Sequence, residues 1–147
     1  MLNLIQAARE QVSSLTQSAY EKAAAAGALP SGADIRAKVD IPKDTRNGDY
    51  ASSFAMAGAK ALGKPPREIA QILLDHMDLS GSFFDKAEMA GPGFLNFTLG
   101  GKWYGDVLAA VEAEGNRYGS SDEGRGKKVM VEFVSANPTG PMHMGNA

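Results

Sequence analysis

The chain contains no cysteine. That excludes a disulfide framework and a thiolate zinc site, and it suits a reducing compartment such as the cytoplasm. No run approaches the ~18 apolar residues of a spanning helix, so no membrane partner is expected. The N-terminus, Met1-Leu2-Asn3-Leu4-Ile5-Gln6, lacks the basic start and long apolar core of a secretion signal. There is no internal repeat and no low-complexity tract. A strong charge of either sign is missing too. The formal net charge is −2, which does not advertise nucleic-acid binding by the chain as a whole. No metal-ligand set is expected.

What is present is an ordinary globular composition, 44% apolar and 22% charged over 147 residues, enough for one domain with a real core. Residues 2–26 read as a helix. Ile5, Ala8, Val12, Leu15, Ala19, Ala23 and Ala26 recur at three- and four-residue steps, and Gly27 supplies a left-handed stop. From Ala33 the period drops to two: Ile35, Ala37, Val39 and Ile41 alternate with charged residues, as in a half-exposed strand ended by Pro42. A polar loop over 43–49 leads to a second helix, roughly Tyr50 to Leu62, with Asp49 or Ser52 as its cap and Gly63 as its end. Pro65 and Pro66 open a third helix with Ile69, Ile72, Leu73 and Met77 inward. His76 on that helix is a packed or exposed bystander.

A hairpin follows, with 86–90 and 94–99 flanking Gly91-Pro92-Gly93. Its second strand puts Leu95, Phe97 and Leu99 on a core face. Phe94, Asn96 and Thr98 take the other face, which is either a second packed face or a surface that stacks on a base and hydrogen-bonds it. Residues 101–114 read as a fourth helix, with Trp103, Tyr104, Val107, Leu108 and Val111 inward. Residues 116–126 are a linker by composition. The segment Arg36 to Arg67 holds seven basic residues against three acidic ones, a local excess of four. It is either a solvated face or a phosphate-facing patch.

The last stretch is the most chemically suggestive. Val129, Val131, Phe133 and Val134 form a β-type run. Asn137-Pro138-Thr139-Gly140-Pro141 must then turn, because two prolines and a glycine cannot continue a central strand. A strand, a tight turn and a helix start give free backbone N–H groups that attract phosphate. Gly145 allows close approach of a nucleotide, and the His143 imidazole can donate to a phosphate oxygen. On the residues alone, a nucleotide site and an ordinary connection after a buried strand both stand.

The run Glu132-Phe133-Val134-Ser135-Ala136-Asn137-Pro138-Thr139-Gly140-Pro141-Met142-His143-Met144-Gly145-Asn146 resembles the start of the catalytic domain of arginyl-tRNA synthetases, which are class I aminoacyl-tRNA synthetases. Asn146 stands where the family's motif more often ends in histidine; it keeps hydrogen bonding but cannot carry charge. Upstream, Ile41-Pro42-Lys43-Asp44, Gly48-Asp49-Tyr50-Ala51, Pro66-Arg67-Glu68-Ile69-Ala70 and Ala90-Gly91-Pro92-Gly93-Phe94-Leu95-Asn96-Phe97 are similar to the family's N-terminal additional domain. The resemblance therefore spans nearly the whole chain.

It implies an α+β fold: a small N-terminal domain of about four helices with a short, mainly antiparallel sheet, then the start of a Rossmann-type catalytic domain. The implied boundaries are 1–115 for the tRNA-recognition domain, 116–126 for the linker and 127–147 for the catalytic start. The implied activity is that of an arginine–tRNA ligase, which uses ATP, with Mg2+, to make arginyl-adenylate and charges tRNA(Arg). By the same resemblance Ala136 to Asn146 is the ATP motif, with His143, Gly145 and Asn146 stabilising phosphate charge. Glu132 and Asn137 hold the substrate L-arginine, whose guanidinium suits a carboxylate; otherwise Glu132 is a strand-end ion pair. Phe94 and Asn96 contact the D-loop corner of tRNA. A cytoplasmic monomer is expected. The chain stops inside the first nucleotide motif, so by itself it is expected to be inactive. A stand-alone tRNA-binding module is the alternative. Another nucleotidyl transferase with a His-x-Gly-His type motif is a third reading, disfavoured by the N-terminal match. The strand over 127–137 is expected either to move freely or to pack unnaturally on the globule, for want of its sheet.

Overall fold

The computed structural model describes residues 4–122, 124–132, 140 and 141. Four helices and four strands form an α+β unit: α1 (Leu4–Ala25), β1 (Val39–Asp40), β2 (Tyr50–Ser52), α2 (Phe54–Leu62), α3 (Pro66–Asp75), β3 (Phe84–Ala90), β4 (Phe94–Leu99) and α4 (Gly101–Glu114). The sheet is antiparallel throughout, in the order β1-β2-β4-β3. This is the fold class expected for the globular part.

The sheet has one dry face. Tyr50, Ser52, Phe84, Leu95 and Phe97 are buried there with Ala8, Val12, Phe54, Ile69 and Leu73 from α1, α2 and α3. Phe84 sits edge-on between Tyr50 and Phe97, at centroid distances of 5.9 and 5.4 Å. Such tilted pairs add to the hydrophobic gain. The Tyr50 hydroxyl donates to the Ile5 carbonyl at 3.2 Å, and burial raises its pKa above the ordinary tyrosine value. On α1 the buried stripe runs Leu4, Ala8, Val12, Thr16, Ala19, Tyr20 and Ala23. Ile5 lies off it, at 58% exposure, against expectation. Thr16 is tolerated in the core because its hydroxyl donates to the Val12 carbonyl at 2.7 Å.

Several elements differ from the sequence reading. Residues 33–40 do alternate half-buried and exposed, but Ile41 is 60% exposed against expectation, and only Val39 and Asp40 join the ladder, because their partner β2 is three residues long. The second helix begins at Phe54, since Tyr50–Ser52 pairs on both edges as β2. The N-cap is Ser53, not Ser52 or Asp49: Ser52, one residue earlier on β2, accepts from the Phe54 N–H at 3.3 Å, and Asp49 turns away and accepts from the Leu99 N–H at 2.8 Å. Gly48 makes that turn possible. Its φ is +80°, and a Cβ would stand 2.7 Å from the Phe97 carbonyl oxygen.

The third departure is α4, which buries no residue fully. Trp103 reaches the core edge and donates to the Leu4 carbonyl at 3.2 Å. Tyr104, Leu108 and Val111, expected inward, are 53%, 66% and 38% exposed. Beyond it, residues 129–132 form no strand, and Val129, Met130 and Val131 are exposed.

Candidate functional site

The sheet's other face carries a groove of about 520 Å³. Strand pairing builds its floor. Asp40 pairs with Ala51, Ala51 with Asn96 and Asn96 with Glu88, so these four make one row across the sheet. Alternation along β4 puts Phe94 on the same face, two residues from Asn96. One wall is the β1–β2 loop with Pro42, Lys43 and Asn47; the other is the hairpin tip with Ala90, Gly91 and Pro92. Ala51, with only a methyl group, leaves the space between the walls open.

Phe94 and Asn96, the pair singled out from strand parity, thus line one groove. They differ in burial. Phe94 presents its ring at 36% exposure, whereas Asn96 retains only 5%. Yet the Asn96 amide makes no side-chain hydrogen bond to any described residue. No buried side-chain N or O atom among the described residues goes unpaired, so the polar end of Asn96 opens into the groove, where water or a ligand can meet it. An aromatic face beside an unpartnered amide can accept a flat, hydrogen-bonding ligand such as a nucleobase.

The basic segment does not form one patch. Arg36 pairs with Asp34 at 3.6 Å, Arg46 with Asp44 at 2.7 Å, and Lys64 with Glu68. Arg67 donates to the Gly91 carbonyl at 2.6 Å. The Arg46 side chain, aided by its own backbone N–H, holds the Asp44 carboxyl below the ordinary carboxylate value, and the same pair raises Arg46. Lys38, Lys43 and Lys60 keep free ammonium groups among the described residues, and of these only Lys43 lines the groove.

His76 caps the end of α3, with its Nδ1 2.8 Å from the Ile72 carbonyl oxygen, a structural post. Glu132 is exposed on irregular backbone. Gly140 and Pro141 are exposed as well. Ala136, Asn137, Pro138, Thr139, Met142, His143, Met144, Gly145 and Asn146 lie outside the described residues. Among the described residues, no three His, Asp or Glu side chains gather as a metal site would need.

A family model described as "Arginyl tRNA synthetase N terminal domain" matches residues 4–99, well over half of the chain. The chain belongs to the arginyl-tRNA synthetase family. Similar members of that family include the arginine–tRNA ligase of Acetivibrio thermocellus, 45% identical over 147 residues, covering 100% of this chain and 26% of that protein. The arginine–tRNA ligase of Caldanaerobacter subterraneus is 44% identical over the same shares. That of Ruegeria pomeroyi is 47% identical over 133 residues, 90% of this chain and 23% of the relative. The chain therefore spans about a quarter of the length of the curated relatives it matches. A crystal structure of arginyl-tRNA synthetase from Plasmodium falciparum has the same fold over 68% of this chain and 17% of that one, with a TM-score of 0.55 at 14% identity. The synthetase matches run past residue 99, so the likeness includes the segment that carries the candidate ATP motif.

Sequence reasoning missed Asp40, Asn47 and Ala51 as groove residues. The period-two pattern did place Asp40 on an outer face. What hid the groove was reading Tyr50–Ser52 as helix, which removed the strand that joins Asp40 to Asn96.

Proposed function

We propose that this chain is the front part of an arginine–tRNA ligase and that its globule grips the outer corner of tRNA(Arg), around the D-loop, by holding one unpaired base in the sheet groove. The observation that carries this reading is Asn96, its side chain without a hydrogen-bond partner among the described residues and open to the groove, beside the accessible ring of Phe94. An unpaired base offers a face and an edge. Phe94 would stack on the face, Asn96 would hydrogen-bond the edge, and Lys43 would lie beside a phosphate. The −2 net charge fits a contact of this kind, which adds to affinity supplied elsewhere.

The longer protein would activate L-arginine with ATP and pass the arginyl group to tRNA, in the cytoplasm and as a monomer. In that reading 1–115 is the tRNA-recognition domain, 116–126 the linker, and 127–147 the beginning of a Rossmann-type catalytic domain. Glu132 and Asn137 would hold arginine. His143, Gly145 and Asn146 would stabilise phosphate charge, with Mg2+ accompanying the nucleotide. The 147-residue chain on its own is expected to make no arginyl-adenylate; arginine-dependent pyrophosphate exchange by the purified chain would refute that.

Fluorescence anisotropy with an arginine-accepting tRNA transcript tests the groove. Weak, salt-sensitive binding is expected. Phe94→Ala should weaken it about tenfold, the middle of the range for one base–aromatic stack. Lys43→Gln should weaken it and lower the log–log salt slope by about one. If both variants bind like the unaltered chain, the groove is not the RNA site.

A further inference from the structure

Within that reading, we infer that Arg67 is a positioning residue. Its guanidinium clamps the hairpin tip that forms one rim of the groove, and it does not serve as a phosphate contact. The tip is intrinsically loose. Gly91 and Gly93 have φ of +54° and +134°, and glycines give up the most freedom when fixed. Inside the tip a single turn bond, from the Gly93 N–H to the Ala90 carbonyl at 3.2 Å, resists opening. Two consecutive residues at the start of α3 supply the rest. Pro66 packs so closely on Gly93 that a Cβ there would come within 2.9 Å of the Pro66 carbonyl carbon. Arg67 donates to the Gly91 carbonyl at 2.6 Å, a short charge-assisted bond. Among the described residues, no other side chain outside the hairpin hydrogen-bonds the tip.

The consequence falls on the groove. Gly91 and Pro92 form its rim, and Phe94 follows directly. A rim fixed before RNA arrives spares the complex the entropy of ordering it. Arg67 also belongs to the basic segment and carries no acidic partner among the described residues, so its charge alone would suggest a phosphate contact. The two roles separate experimentally, because a phosphate contact contributes to the salt slope and a clamp does not.

The test compares Arg67→Gln and Arg67→Lys in the 147-residue chain. NMR amide exchange at Gly93 is measured without RNA, and tRNA affinity is measured across a salt series. The clamp predicts faster Gly93 exchange in both variants. It also predicts affinity lowered about tenfold, the size of one net hydrogen bond to a charged group, with the salt slope unchanged. The inference is overturned if Arg67→Gln lowers the slope by about one while Arg67→Lys restores binding. It is equally overturned if Gly93 exchange is unmoved, or if the tip loosens and affinity stays the same. Failure of the groove reading itself would show separately, as Phe94→Ala binding like the unaltered chain, and the exchange result would still report on the clamp.

Discussion

Replacing Asn96 with leucine should push stability and RNA binding in opposite directions. Asn96 keeps only 5% exposure and its side chain has no hydrogen-bond partner among the described residues, yet no buried side-chain polar atom there goes unpaired, so the polar end of the amide is the part left open to the groove. Leucine suits a strand better than asparagine, by up to about 1 kcal/mol, and adds apolar contact with the Ala51 methyl beside it on β2. The groove above leaves room for the larger side chain. Allowing for imperfect packing, a gain of about 1 kcal/mol is expected, or about 3 °C in melting temperature for a chain of this size. The same change deletes the groove's hydrogen-bonding edge, and tRNA affinity should fall about tenfold or more. Differential scanning calorimetry and anisotropy titration, run on one preparation at one salt concentration, read both effects. A melting temperature lowered by several degrees would show that the amide supports the fold. Unchanged affinity with a folded variant would show that Asn96 reads nothing.

Two further outcomes follow from the same geometry. Gly48→Ala sets a Cβ 2.7 Å from the Phe97 carbonyl oxygen at φ +80°, so it should cost roughly 2 kcal/mol or more in chemical denaturation and disturb the Asp49–Leu99 bond. The Asp44 carboxyl should titrate below 3.8 in an NMR pH series and move back up in Arg46→Gln, because the Arg46 side chain is the largest cause of its depression. With the folded pKa depressed, this pair's contribution is present above the unfolded value and is lost as pH falls through the folded one. The Arg46 side chain is 88% exposed and that of Asp44 42%, so solvent screens the pair and the melting temperature between pH 5 and 8 should not register the change.

The long periodic stretches were legible because periodicity averages over many residues. α1, α3, the hairpin and α4 fall where spacing placed them, and Gly27 and Gly63 end their helices at positive φ. Tyr50–Ser52 was not legible as a strand. Three residues are too few to show a period, and Tyr50 and Ala51 fit a helix equally well. Its identity is settled by β1 and β4 on either side, a tertiary fact. The groove inherits this split. Phe94 and Asn96 came from parity along one strand, a local property. Asp40, Ala51 and Asn47 needed the strand order. Burial of Asn96 was hidden for the same reason, since its cover comes from strands distant in sequence. On α4, apolar character at helical spacing was equated with a buried face, and Leu108 at 66% exposure shows where that equation fails.

The outward-facing apolar ridge of α4 leaves the core to the elements that precede it. The core closes by β4, and past Leu99 only Trp103 adds weight to it among the described residues. The family match also stops at residue 99. Over residues 104–114, about 15 Å of helix, Tyr104, Leu108 and Val111 stay 38–66% exposed, an apolar ridge left uncovered by the described residues.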